Sequence, residues 1–107
     1  MEEWRKVSNY PKYEISSYGR VRSLYNTHQR LMETPKILSI KTDRVGYKFI
    51  HLINERGRKP LRIHRLVAET FLHNPNNFPE VNHKDEDKSN NKTDNLEWCT
   101  KYANMHH

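Results

Sequence analysis

The apolar residues of this 107-residue chain fall in short runs, among them Val21 to Tyr25, Ile37 to Ile40, Tyr47 to Ile53 and Leu66 to Leu72. That distribution constrains the fold more than any other feature. No run is long enough to cross a membrane or to form the apolar centre of a signal segment, so no membrane partner is expected. Hydrophobic residues make up 34% of the chain and the mean hydropathy is -1.11, values that favour disorder when apolar residues are scattered. Gathered into runs, they predict one small, thinly cored globular unit. The single cysteine, Cys99, has no partner for an intramolecular disulfide, and a reducing, intracellular (cytoplasmic) setting is expected.

Local patterning predicts an α+β fold. Trp4 reads as an aromatic anchor, followed by a hairpin of strands "KYEIS" and "RVRSL" turning at Tyr18-Gly19. Residues 25–35 read as a loop. Residues 36–63 give three more short strands in an antiparallel meander, broken near Asp43 to Gly46 and at "NERGRK", where Gly57 supplies a turn. From His64 the period changes to that of a helix, with Leu66, Val67, Ala68, Phe71 and Leu72 on one side. Pro75 and Pro79 bar a helix beyond it. A strand "EVNH", a polar loop, a strand "LEWCT" and a helix from "KYANM" close the chain, with Thr100 as N-cap.

Charge is divided unevenly along the chain. The net charge is +6, yet residues 1–65 hold 15 Lys/Arg against 6 Asp/Glu, and residues 66–107 hold 4 against 7. A basic platform beside an acidic cluster suits a polyanion together with a cation. Nucleic acid plus metal is the partner set this implies. A solvated basic surface gives the same count without any partner.

The acidic tail carries the chemistry. Strand, loop, strand and helix would set His83, at the end of a strand, opposite Asn104, one turn into the closing helix. Hydrolysis of a phosphodiester needs a base for water and positive charge where negative charge develops. Histidine in its ordinary range accepts a proton near neutral pH, and hard divalent cations prefer oxygen ligands, which Asn82 and Asn104 each offer as an amide. Asp85, Glu86 and Asp87 read more simply as a solvated turn than as a metal site. A zinc centre from Cys99, His73 and His83 would lack the four ligands such a site normally has.

The run "HRLVAETFL...VNHKDEDKSNNKTDNLEWCTKYANM" resembles the HNH endonuclease family, in the branch found in phage and intron-encoded homing enzymes. The stretch "EEWRKVSNYPKYEISSYGRVRSL" is similar to the small module that often precedes such nucleases. The resemblance implies a ββα-metal active site in residues 64–107, behind a basic, β-rich DNA-binding module in residues 1–63. It implies His83 as general base, Asn104 as metal ligand, and Asn95 as the residue that holds the loop and orients the histidine. His64 matches the upstream histidine, for which packing and a phosphate contact both fit. Asn82 stands where an aspartate ligand is common, and Asp85 is a further candidate ligand. Mg²⁺ is the expected ion, with Mn²⁺ as an alternative, and double-stranded DNA the expected partner of a monomer or weak dimer. Arg20, Arg22, Lys48, Arg62, His64 and Arg65 are the candidate DNA contacts. One such site cuts one strand, so nicking is the expected act; a DNA-binding module with a decayed site is the alternative.

Overall fold

The computed structural model describes residues 1–105, with side chains through residue 103. Strands β1 (Trp4–Val7), β2 (Tyr10–Ser16), β3 (Val21–Tyr25) and β4 (Leu31–Ile37) form a first antiparallel sheet in sequential order. A second sheet is built from β5 (Lys41–Thr42), β6 (Lys48–Asn54) and β7 (Gly57–Arg62). Helix α1 (Ile63–Phe71) follows without a break, then β8 (Glu80–His83) pairs with β9 (Leu96–Cys99) ahead of helix α2 (Lys101–Met105). The α+β architecture and its order are those expected. Among the described residues no helix is long and apolar enough to cross a membrane.

Three segments differ from the sequence reading, the first being the strand expected from Lys36 to the break near Asp43, which is divided between the end of β4 and the two-residue β5. Trp4–Val7 is a full strand paired with β2, not only an anchor. Within the expected loop at 25–35, Leu31–Ile37 extends as β4 and pairs with β3, Tyr25 opposite Leu31 and Ser23 opposite Lys36. Pro35 concealed this strand. Proline lacks the donor a central strand needs, but β4 is an edge, where that lack is tolerated. The predicted N-cap of α2 is present, with Thr100 Oγ1 accepting from the Ala103 N–H at 3.1 Å.

One core serves all three sheets. Val7, Tyr10, Ile15 and Val21 come from the first, Ile50 and Leu52 from the second, Val81 and Leu96 from the third, and Ile63, Leu66, Val67 and Ala68 of α1 join them. Ile15, Val21, Leu52, Ile63 and Val67 are fully buried, each contributing about 1.5–3 kcal/mol of transfer free energy. Helix α1 packs on strands of all three sheets, and α2 packs on β8. The core therefore runs uninterrupted past residue 63.

Candidate active site

Strands β8 and β9 pair in a register that sets Asn82 opposite Glu97 and His83 opposite Leu96. Successive residues on a strand face opposite ways, so the hairpin presents two polar groups on two faces. The imidazole of His83 packs beside His64 of α1, ring centroids 5.0 Å apart, and 6.1 Å from the ring of Tyr47. Its Nε2 lies 2.7 Å from Asn91 Oδ1 in a buried contact. Tyr47 in turn stacks on His64 at 4.9 Å, with Arg62 and Lys88 on its ring at 4.3 and 4.7 Å. Two histidines and a tyrosine thus form a contiguous ring cluster bordered by cations.

His64 does not carry charge in this cluster. Burial, followed by the proximity of His83, Arg62 and Arg65, pushes its pKa down to about 3. The ring packs against Tyr47 and His83, and a contact to phosphate would be made by a neutral ring.

The loop between β8 and β9 is organised by Asn95 and Asp85. The Asn95 amide donates to Asp85 Oδ1 (2.9 Å) and Asn90 O (2.8 Å), while its oxygen accepts from the Asp85 N–H (3.1 Å). Lys84 N–H closes onto the Asn95 carbonyl at 2.8 Å. Asp85 also accepts from Asn90 Nδ2 and the Asp87 N–H, each at 2.8 Å. These donors, Asn90 foremost, hold its carboxyl below the usual range. Asp85 thus accepts three hydrogen bonds from within its own loop. Asn95 bonds within the loop, and among the described residues it is Asn91 whose side chain hydrogen-bonds His83.

Asn82 is buried, and its Nδ2 donates to Glu97 Oε1 at 3.0 Å. This pairing turns the amide nitrogen toward the carboxylate and leaves the amide oxygen as the group that can accept from a donor or a cation. An amide oxygen with a carboxylate beside it fits a hard divalent ion. Among the described residues no three His, Cys, Asp or Glu side chains converge as a metal cluster. The side chain of Asn104 lies outside the described residues, and only its place on α2 is established. Replacing Asn82 by Asp should set two carboxylates against each other. Without metal, we expect Asn82→Asp to lower folding stability by about 1 kcal/mol, and Mn²⁺ to restore its melting temperature with a larger upward shift than in the wild type. Equal metal-induced shifts in the two proteins would remove Asn82 from the ligand set.

Each of the basic candidates Arg20, Arg22, Lys48, Arg62 and Arg65 has a partner within the fold. Arg20 bonds Glu2 through Nε at 2.9 Å, holding that carboxyl down at about 2, and Arg22 bonds Glu14 at 2.7 Å. Both also lie over Trp4. Lys48 donates to Thr42 Oγ1 at 2.7 Å, and Arg65 to the Pro79 carbonyl at 2.8 Å. Arg62 alone of these shares Tyr47 with the histidine cluster, while paired with Asp43 at 3.1 Å. Sequence reasoning missed Tyr47, Lys88, Asn91 and Glu97. Glu97 was open to inference, since aligning the strands "EVNH" and "LEWC" sets it across from Asn82. Nothing periodic marks the other three, which reach the cluster through turns.

Residues 2–53 match the NUMOD4 motif and residues 62–106 match the HNH endonuclease family. An uncharacterized HNH endonuclease of Acanthamoeba polyphaga mimivirus is 42% identical over 101 residues, 94% of this chain and 28% of that protein. The DNA endonuclease I-HmuI of Bacillus phage SP01 is 32% identical over 104 residues, 96% of this chain and 55% of that protein. The solved structure of I-HmuI, described as DNA binding and cleavage by an HNH homing endonuclease, superposes with a TM-score of 0.79 at 31% identity, covering 97% of this chain and 56% of that one. Matched along both segments and sharing that fold, the chain belongs to the HNH endonuclease family, its nuclease motif preceded by a NUMOD4 module. It spans about a quarter to about half the length of these relatives.

Proposed function

We propose that the chain is the catalytic part of a metal-dependent DNA endonuclease that nicks one strand, with residues 64–107 as the nuclease motif and the basic β-rich front as its DNA-binding module. The observation that carries this reading is His83 at the end of β8, its ring bonded to Asn91 and packed in a cluster edged by Arg62 and Lys88. Neutral His83 accepts a proton from water, the water oxygen attacks phosphorus, and the P–O3′ bond breaks as the 3′-oxygen takes up a proton from solvent. Asn82, beside Glu97, together with Asn104 would hold a divalent ion, Mg²⁺ foremost, which when bound supplies positive charge where the phosphate becomes more negative. Arg62 and Lys88, the cations on the Tyr47 ring that stacks against His64, are the phosphate contacts we favour, Arg62 while paired with Asp43.

The loss of a carboxylate at Asn82 also supports a second reading, a DNA-binding module whose site has decayed. Supercoiled plasmid incubated with Mg²⁺ or Mn²⁺ separates the two. Accumulation of open circles that stops on chelation and resumes when metal is returned is the outcome expected. Plasmid that is retained by the protein but stays supercoiled would favour the decayed module.

A further inference from the structure

We propose that Asn91 is a positioning residue that fixes the tautomer of His83, and that the β2–β3 turn of the N-terminal sheet holds Asn91 in place. The inference rests on the reading of His83 as the base. Asn91 and His83 are each 5% exposed, and Asn91 supplies the hydrogen bond to this ring among the described residues. His64 and Tyr47 meet the ring as tilted ring contacts, at interplanar angles of 46° and 34°. An amide oxygen accepts and cannot donate, so Oδ1 at 2.7 Å from Nε2 places the proton on Nε2. A neutral imidazole with its proton there presents Nδ1 as its lone pair. The other tautomer would leave the buried amide oxygen facing a second acceptor, which is costly.

What seats Asn91 comes from the far end of the chain. Gly19 has φ +88°, and a Cβ on it would lie 2.8 Å from Asn91 Cβ and 3.3 Å from the Asn91 carbonyl oxygen. Only glycine lets the two segments approach so closely. Beside this contact, the Thr93 N–H donates to the Ser17 carbonyl at 2.9 Å. The turn is itself braced: the fully buried Ser16 accepts at Oγ from the Tyr18 and Arg20 N–H groups, each at 3.1 Å, and its carbonyl accepts from the Gly19 N–H at 3.0 Å. The first sheet therefore touches the base through one intermediary, in addition to any role it has on DNA.

The test is a long-range ¹⁵N–¹H correlation spectrum of the His83 ring in the whole chain, with nicking kinetics on supercoiled plasmid in Mn²⁺. Wild type should show Nε2 protonated and Nδ1 bare. Asn91→Leu should give a mixture of tautomers and a kcat reduced roughly 10- to 100-fold with KM unchanged. Asn91→Asp, which offers only oxygens, should keep the wild-type tautomer, and Gly19→Ala, which pushes on Asn91, should move toward Asn91→Leu. A wild-type spectrum or an undiminished kcat in Asn91→Leu overturns the proposal, as does loss of the tautomer in Asn91→Asp, which would mean that the amide nitrogen faces the ring. Should Asn91→Leu fail to fold, the spectra of wild type and Asn91→Asp still decide it. Nicking at full rate by His83→Ala would instead sink the underlying reading while leaving the tautomer assignment standing.

Discussion

His83→Ala should slow plasmid nicking by roughly 10²- to 10⁴-fold, the usual contribution of a positioned general base, while DNA retention changes little. The argument for so uneven an effect is the ring's location. His83 lies inside the cluster rather than among the exposed cations, with Asn91, His64 and Tyr47 as its neighbours. Its removal deletes a proton acceptor but no positive charge from the Arg62 and Lys88 edge. Truncation also leaves Asn91 Oδ1 without its partner, at a cost of about 1–3 kcal/mol. Rates should therefore be compared well below the variant's melting temperature. A single-turnover rate within tenfold of wild type would remove His83 from the role of base.

Stability should fall steeply on acidification, and His64 should account for one proton's worth of the slope. In the folded chain this ring stays neutral down to a pKa of about 3, because it is buried among other cations. In the unfolded chain it takes up a proton near pH 6.5. Across that window the unfolded state binds more protons, so the free energy of unfolding declines as pH drops, by about 1.4 kcal/mol per pH unit. The loss accumulates to roughly 4–5 kcal/mol by pH 3, and none of it is felt above pH 6.5. His64→Phe keeps a ring for Tyr47 to stack on and abolishes the titration. Urea unfolding of both proteins at pH 7, 6 and 5 should give a shallower dependence in the variant. Parallel curves would mean that His64 is charged in the fold or that its burial is incomplete. Carboxylates such as Glu2, whose pKa is also lowered, titrate in both proteins and cancel in the comparison.

Most of the fold could be read from the residues because its elements obey local rules. The "EVNH" and "LEWC" strands, the apolar face that becomes α1 and the Thr100 cap all announce themselves at short range. β4 did not, since its proline argues locally against a strand and only the edge position excuses it. The site divides along the same line. His83 and Asn95 lie in recognisable local surroundings, whereas Asn91 acquires its meaning from a turn near residue 19, and Tyr47 from a hairpin laid against α1. Asp85 stands between the two: a carboxylate near a base invites a ligand role, and the three donors it accepts from within its own loop become visible only once the loop is folded.

The uninterrupted core bears on how such a chain can be recombined. Modules that merely share a tether can be traded freely between proteins, but here the front supplies Val7, Ile15 and Val21 to the interior that the nuclease motif also uses. A chimera that exchanged residues 1–53 for an unrelated module would strip Ile63 and Val67 of core neighbours and leave the loop at Asn91 without its wall. The front is thus more open to change on its exposed strands and turns than to wholesale exchange.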